Sequence, residues 1–168
     1  MKKYFLFAVA VCTILFVSCK KSTTEDVLAP EVEAGADAIA LSDWRAVTNW
    51  QTTRDSSSSI FSSTIGDSKI NAALAENGLV LVFKKSGSTI QSLPFEEKGA
   101  GFWSYQVTEG TVQITLGTSS LRQIPVNNDS FRYLVFSEAQ LEDFVKQGFP
   151  KDKLMSLSYE NLVSLLHL

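Results

Sequence analysis

Trp103-Ser104-Tyr105-Gln106-Val107-Thr108-Glu109-Gly110-Thr111-Val112-Gln113-Ile114-Thr115-Leu116 decides the fold class. Trp103, Tyr105 and Val107 alternate with Ser104, Gln106 and Thr108, while Val112, Ile114 and Leu116 answer between Thr111, Gln113 and Thr115. A period of two puts the apolar side chains on one face of a strand and the polar ones on the other. Glu109-Gly110 supplies the turn, so the stretch is an antiparallel hairpin with one buried face and one wet face. Trp103 and Tyr105 share the buried face with Val107 and read as core.

Working outward, Leu79-Val80-Leu81-Val82-Phe83 is apolar at every position, the pattern of a strand covered on both sides, and residues 131–136 form a last strand that is again largely apolar on both sides. A turn over residues 84–87 leads to a less regular strand over residues 89–95. Pro94 cannot donate to a ladder and belongs at an edge or a strand end. Upstream, residues 59–65 form a strand after the polar turn Arg54-Asp55-Ser56, and Trp44, Ala46, Thr48 and Trp50 fall on one face of the first strand. Asp67-Ser68 starts a short helix carrying Ile70, Ala73 and Leu74, with Asn77-Gly78 as a left-handed stop. Ser137 and Gln140 make a capping box for a helix with Leu141, Phe144 and Val145 inward, ended by Gly148 and Pro150. A last helix from Ser158 carries the stripe Leu162, Leu165 and Leu166. Pro125, Asn127 and Asn128 lie in a polar loop. The pattern predicts a mainly β fold: an antiparallel β-sandwich or open barrel of about seven strands, with one short inserted helix and two C-terminal helices. A single sheet covered on one face by helices is the alternative.

The N-terminus differs in kind. Lys2 and Lys3 precede an uncharged, mostly apolar run from Tyr4 to Val17, fourteen residues long, followed by Ser18 and Cys19. That run is too short to span a bilayer comfortably, and with its positive start it has the form of an export signal. Phe16-Val17-Ser18-Cys19 resembles the lipobox of bacterial lipoproteins, which implies cleavage before Cys19 and lipid on its thiol, with Phe16 standing where that box prefers Leu, Val or Ile. The expected divisions are a signal peptide over residues 1–18, a flexible linker over 19–41 and a single β-rich domain over 42–168. The linker is rich in Ser, Thr, Ala and acidic residues, and its Glu25, Asp26, Glu31, Glu33 and Asp37 lack the spacing and central Gly of a calcium loop. Cys12 would leave with the signal, so no internal disulfide is expected. Loss of Lys2 and Lys3 would take the formal charge from −3 to −5, which disfavours nucleic acid and anionic headgroups as partners.

Catalytic signals are sparse. His167, the only histidine, is the penultimate residue, a poor place for a triad member. There is no Gly-x-Ser-x-Gly elbow, no His-Glu-x-x-His pair and no phosphate-cradling loop. One His and no thiol besides a lipidated Cys19 leave little for zinc. The neighbouring carboxylates Glu96-Glu97 and Glu142-Asp143 do not meet the need of glycoside hydrolysis for two groups facing across a cleft. No catalytic residue, cofactor or metal is expected. Trp44 and Trp50, on a strand of mixed polarity, are the candidates for stacking on a sugar ring. Arg132 could hold an anion or a surface ion pair, and Asn128-Asp129-Ser130 marks a surface loop.

Trp44 with Trp50, the short helix running into Asn77-Gly78-Leu79-Val80-Leu81-Val82-Phe83, Leu93-Pro94-Phe95, the aromatic-Gly hairpin, Phe131-Arg132-Tyr133-Leu134-Val135-Phe136 and Leu157-Ser158-Tyr159-Glu160 make one order of landmarks. It is similar to that in a family of small, functionally uncharacterised lipoproteins of Gram-negative bacteria, over most of residues 44–168. Those relatives tend to carry a Trp before the Leu-Pro pair, where this chain has Ile90-Gln91-Ser92. The resemblance implies a β-rich domain and an envelope location, and adds no chemistry. The expectation is a non-catalytic, lipid-anchored envelope domain, held at the outer membrane, that binds a protein or plays a structural part. A glycan-binding module using Trp44 and Trp50 is the second reading and a small hydrolase the third.

Overall fold

The apolar segment over 79–83 and the largely apolar one over 131–136 lie side by side, hydrogen-bonded from Phe136 opposite Leu79 to Ser130 opposite Lys85. The computed structural model describes residues 39–119 and 129–168. Among these it has ten strands and four helices: β1 (Ala40–Leu41), β2 (Arg45–Ala46), β3 (Gln51–Arg54), β4 (Ser59–Gly66), α1 (Ala72–Asn77), β5 (Leu79–Ser86), β6 (Thr89–Ser92), β7 (Phe95–Glu97), β8 (Gly101–Thr108), β9 (Thr111–Thr118), β10 (Ser130–Phe136), α2 (Glu138–Lys146), α3 (Lys151–Ser156) and α4 (Tyr159–Leu166). The strands make two antiparallel sheets. A central sheet runs β1-β10-β5-β6, with β2 also paired to β10, and an outer sheet runs β3-β4-β9-β8-β7. The sandwich expected from the sequence is what forms, and the barrel is not closed.

Alternation along β5 and β10 explains the layering. Val80, Val82, Phe131, Tyr133 and Val135 point toward the outer sheet and pack with Phe61, Ile65, Trp103, Ile114 and Leu116. Leu79, Leu81, Phe83, Leu134 and Phe136 point the other way, where the C-terminal helices cover them with Leu154 and Leu162, both fully buried. The order of layers is outer sheet, central sheet, helices. Burying each of those leucines contributes about 2 kcal/mol, which holds helices of six and eight residues that are too short to persist alone. Ser137 caps α2 in the expected capping box with Gln140, and Ser158 caps α4.

Several local expectations are corrected. Ten strands replace about seven: of the first expected strand only Arg45–Ala46 forms, Gln51–Arg54 makes a separate strand that takes in the start of the expected turn, Ala40–Leu41 is added, and the segment over 89–95 is split in two. The split lies at the cis peptide Leu93-Pro94, where the chain leaves β6 in the central sheet and enters β7 in the outer one. Ala40 and Leu41, expected in the linker, pair with Val135 and Leu134, because Leu41 and Ile39 have apolar partners in the core beneath the helices. Lys84 to Ser86 continue β5, and the turn is left to Gly87 and Ser88. The short helix starts later, capped by Asn71, whose side chain accepts from the Leu74 amide. Three C-terminal helices replace two, since α3 intervenes and brings Leu154 into the core. Val145 is exposed, while Leu141 and Phe144 pack inward. Pro125, Asn127 and Asn128 lie outside the described residues, as do the signal, Cys19 and the linker over 19–38.

Gly78 is a stop for a different reason from the one expected. Its φ of −78° is not left-handed, yet a Cβ there would lie 2.6 Å from the Leu74 carbonyl oxygen and 2.7 Å from that of Phe136. Only glycine lets α1 turn into β5 so close to the end of β10. Gly78→Ala should therefore lower stability by about 1–3 kcal/mol through overpacking, read as a fall in the urea midpoint. Gly66→Ala, where a Cβ meets nothing within 4 Å, should change stability by less than about 0.5 kcal/mol.

Candidate functional site

The two tryptophans singled out in the sequence do not form a pair. Trp44 is half-buried against the helices, its ring 5.7 Å from that of Tyr159, with the Arg132 guanidinium 5.0 Å and the Lys85 ammonium 5.5 Å from its centre. Trp50 packs instead into the core between the sheets, 6.0 Å from Trp103 and 6.5 Å from Phe131, and its Nε1 donates to the Val47 carbonyl at 3.1 Å. They lie on opposite sides of the central sheet, and each ring is engaged with protein. Arg132 is spoken for by Trp44 and by the Tyr159 hydroxyl, to which its Nη1 donates at 2.6 Å.

The other titratable candidates are also dispersed. His167 ends α4 in a left-handed conformation and is exposed. Glu96 faces outward, whereas Glu97 turns inward. Glu142 and Asp143 are exposed on α2, where Asp143 holds Lys146 at 2.7 Å. Among the described residues, no three His, Cys, Asp or Glu side chains are grouped as a metal site would need, and no helix is long and apolar enough to cross a membrane.

Two buried polar clusters were not foreseen. Lys84 is 3% exposed and points between the sheets, 2.8 Å from Glu97 Oε2 and 3.2 Å from Asp129 Oδ2. Glu97 Oε2 also accepts from Trp103 Nε1 at 2.6 Å, and the ammonium lies 4.6 Å from the Trp103 ring centre. A cation and two carboxylates thus join β5, β7 and the start of β10. The signal was present, since Lys84 continues the inward parity of Val80 and Val82 once β5 is extended. At the other end, the Tyr133 hydroxyl donates to Asp67 Oδ2, and the Lys69 amide donates to Oδ1 at 2.9 Å. Burial pushes the Asp67 carboxyl up. The Tyr133 hydroxyl, the Lys69 amide and the Arg45 and Lys69 charges outweigh it and hold the carboxyl below its ordinary 3.8. Burial first, and then the Asp67 carboxylate, push the Tyr133 hydroxyl well above its ordinary 10.0. Beside this contact, Arg45, Asn49, Ser63 and Gly66 line a cleft of about 210 Å³, and Arg45 Nη1 donates to the Gly66 carbonyl across it at 3.2 Å.

Among the described residues, the outward face of the outer sheet is left open. Along β4 the burial alternates strictly, with Phe61, Ser63 and Ile65 buried and Ile60 and Thr64 exposed, and β9 repeats the pattern with Val112, Ile114 and Leu116 inward. Ile60 at 48% and Phe102 at 51% exposure are large apolar side chains left in water there. The sequence reading assigned this face to water without marking Phe102, because the alternation it used begins at Trp103.

No protein family, no curated protein and no solved structure matches the chain.

Lys84→Met should lower stability by about 3 kcal/mol, because two carboxylates lose their cation inside the sandwich, read by urea unfolding. Asp67 contributes stability that is present above pH 3.8 and is lost as pH falls through its lower folded value; Tyr133 contributes below pH 10.0 and is lost as pH rises beyond it. Tyr133→Phe should therefore move the acid unfolding midpoint to higher pH and blunt the alkaline loss, as followed by circular dichroism across pH.

Proposed function

We infer that the chain is a lipid-anchored domain of the bacterial cell envelope, held at the outer membrane, that binds a protein or serves a structural part and performs no catalysis. The observation that carries this reading is Lys2-Lys3, the apolar run to Val17 and the lipobox-like Phe16-Val17-Ser18-Cys19. Two acyl chains on Cys19 would make a durable anchor where one would hold only marginally, and the polar segment after it would let the folded domain stand off the membrane. Lys20, next to the anchor, points toward the outer membrane. The order of landmarks shared with small Gram-negative lipoproteins supports the same placement.

The reading as a binding domain is supported by the way the charged groups are used. Lys84, Glu97, Asp129, Asp67, Tyr133 and Arg132 are committed to one another or to neighbouring protein groups. Glu97 and Asp129 converge, but on the Lys84 ammonium that pairs with both, which leaves neither free to act as the acid or the nucleophile of glycoside hydrolysis. The glycan-binding reading survives on a different surface from the one first considered: Trp44 and Trp50 are engaged with protein, whereas the uncharged face around Phe102 is open.

Expression of the wild type beside Cys19→Ala, with intact mass and membrane fractionation, tests the anchor. The wild type should carry a diacyl mass on residue 19 and sediment with the membrane, and the variant should be released or left unprocessed. Two soluble proteins cut at the same place would contradict the reading.

A further inference from the structure

The outward positions of the outer sheet fall into register as rows. Thr53, Ile60, Gly117, Phe102 and Glu96 make the first, and Gln51, Ser62, Thr115 and Ser104 the second. Thr64, Gln113 and Gln106 make the third. Ile60 and Phe102 stand on either side of Gly117, two strand spacings or about 9.5 Å apart along the row. Because Gly117 has no side chain, the row is a trough with an aliphatic wall, an aromatic wall and a bare backbone floor. It opens along β9 onto Thr115 and Gln113, bordered by Ser62, Ser104 and Gln106.

The chemistry of this face is selective. The chain is 20% charged, yet none of the outward positions on β3, β4, β8 and β9 carries a charge; Glu96, on the edge strand, marks where charge resumes. An anionic polymer would call for Arg or Lys here. A protein partner would call for a core of large apolar anchors, and Ile60 and Phe102 alone do not make one. Hydroxyls and amides that both donate and accept, set beside one exposed ring, match an uncharged polymer rich in hydroxyls. The apolar C–H face of a pyranose covers an aromatic ring while its hydroxyls reach polar neighbours.

We propose that this face binds a neutral polysaccharide, with a sugar ring seated over Gly117 against Phe102 and its neighbours bonded by Thr115, Gln113 and Gln106. The inference rests on the glycan-binding reading and supplies its site and ligand class. It does not depend on the anchor at Cys19.

The test uses the full chain in detergent, run on native gels cast with soluble neutral polysaccharides (a β-glucan, a mannan and a xylan), with heparin as the anionic control. Retardation is expected in at least one neutral gel and not in heparin. Phe102→Ala and Gln113→Ala should each weaken it tenfold or more. Gly117→Val is the decisive variant. A Cβ at 117 meets nothing within 4 Å, so the protein should keep its unfolding midpoint while the filled floor abolishes retardation. Retardation by a neutral glycan that both Phe102→Ala and Gly117→Val leave intact overturns this face and leaves glycan binding standing. Retardation in none of the neutral gels, or in heparin alone, overturns both.

Discussion

The structure depends on one pairing, β5 with β10, and on the need to cover that pair on both sides. Seven residues of each strand face one another in a continuous ladder, and ten of those fourteen side chains are apolar or aromatic, the exceptions being Lys84, Lys85, Ser130 and Arg132. A ladder of that kind cannot border water, so each face requires a layer of its own. The outer sheet covers one face and the three C-terminal helices the other. The rest follows from this requirement. Short helices are held by leucines driven into the central sheet, and the chain changes sheets at Leu93-Pro94 so that β7 can close the outer sheet after β6 has closed the central one.

The same arrangement distributes the chemistry. Polar groups that face inward must be satisfied, and the ends of the sandwich hold them: Lys84 with Glu97 and Asp129 at one, Tyr133 with Asp67 at the other. Such clusters tie separate strands together and leave those side chains little freedom for reaction. The tryptophans are absorbed in the same way, Trp44 on the helix side of the central sheet and Trp50 and Trp103 between the sheets. The helices and the core between the sheets occupy three of the four sheet faces, and among the described residues the fourth, on the outer sheet, is left uncovered.

Much of this was legible in the sequence because it is written in periods. The alternation from Trp103 to Leu116, the apolar run in β5, the largely apolar one in β10 and the Ser137 capping box each reflect a single local rule, and each formed as expected. The misses share a different cause. Ala40-Leu41 is a strand only because β10 offers an edge to it, and nothing in two residues signals that; of the first expected strand, only Arg45-Ala46 finds such an edge. Gly78 resembles a left-handed helix stop, but its need for glycine comes from Phe136, distant in sequence. Lys84 looks like the start of a turn until its partners on β7 and at Asp129 are known. For the candidate face, the polar positions were readable, but that they align as uncharged rows around Gly117 depends on the registers of four strands.

Native-state hydrogen exchange tests the central claim most directly. If the β5–β10 pair is the layer on which the others are built, the amides of β5 from Val80 to Phe83 and of β10 from Tyr133 to Phe136 that bond within the ladder should exchange only through global unfolding, slower than any in β3, β7 or the helices. Greater protection in the β8–β9 hairpin, with β5 and β10 exchanging together with the helices, would mean that the outer sheet is the stable unit and would contradict the account.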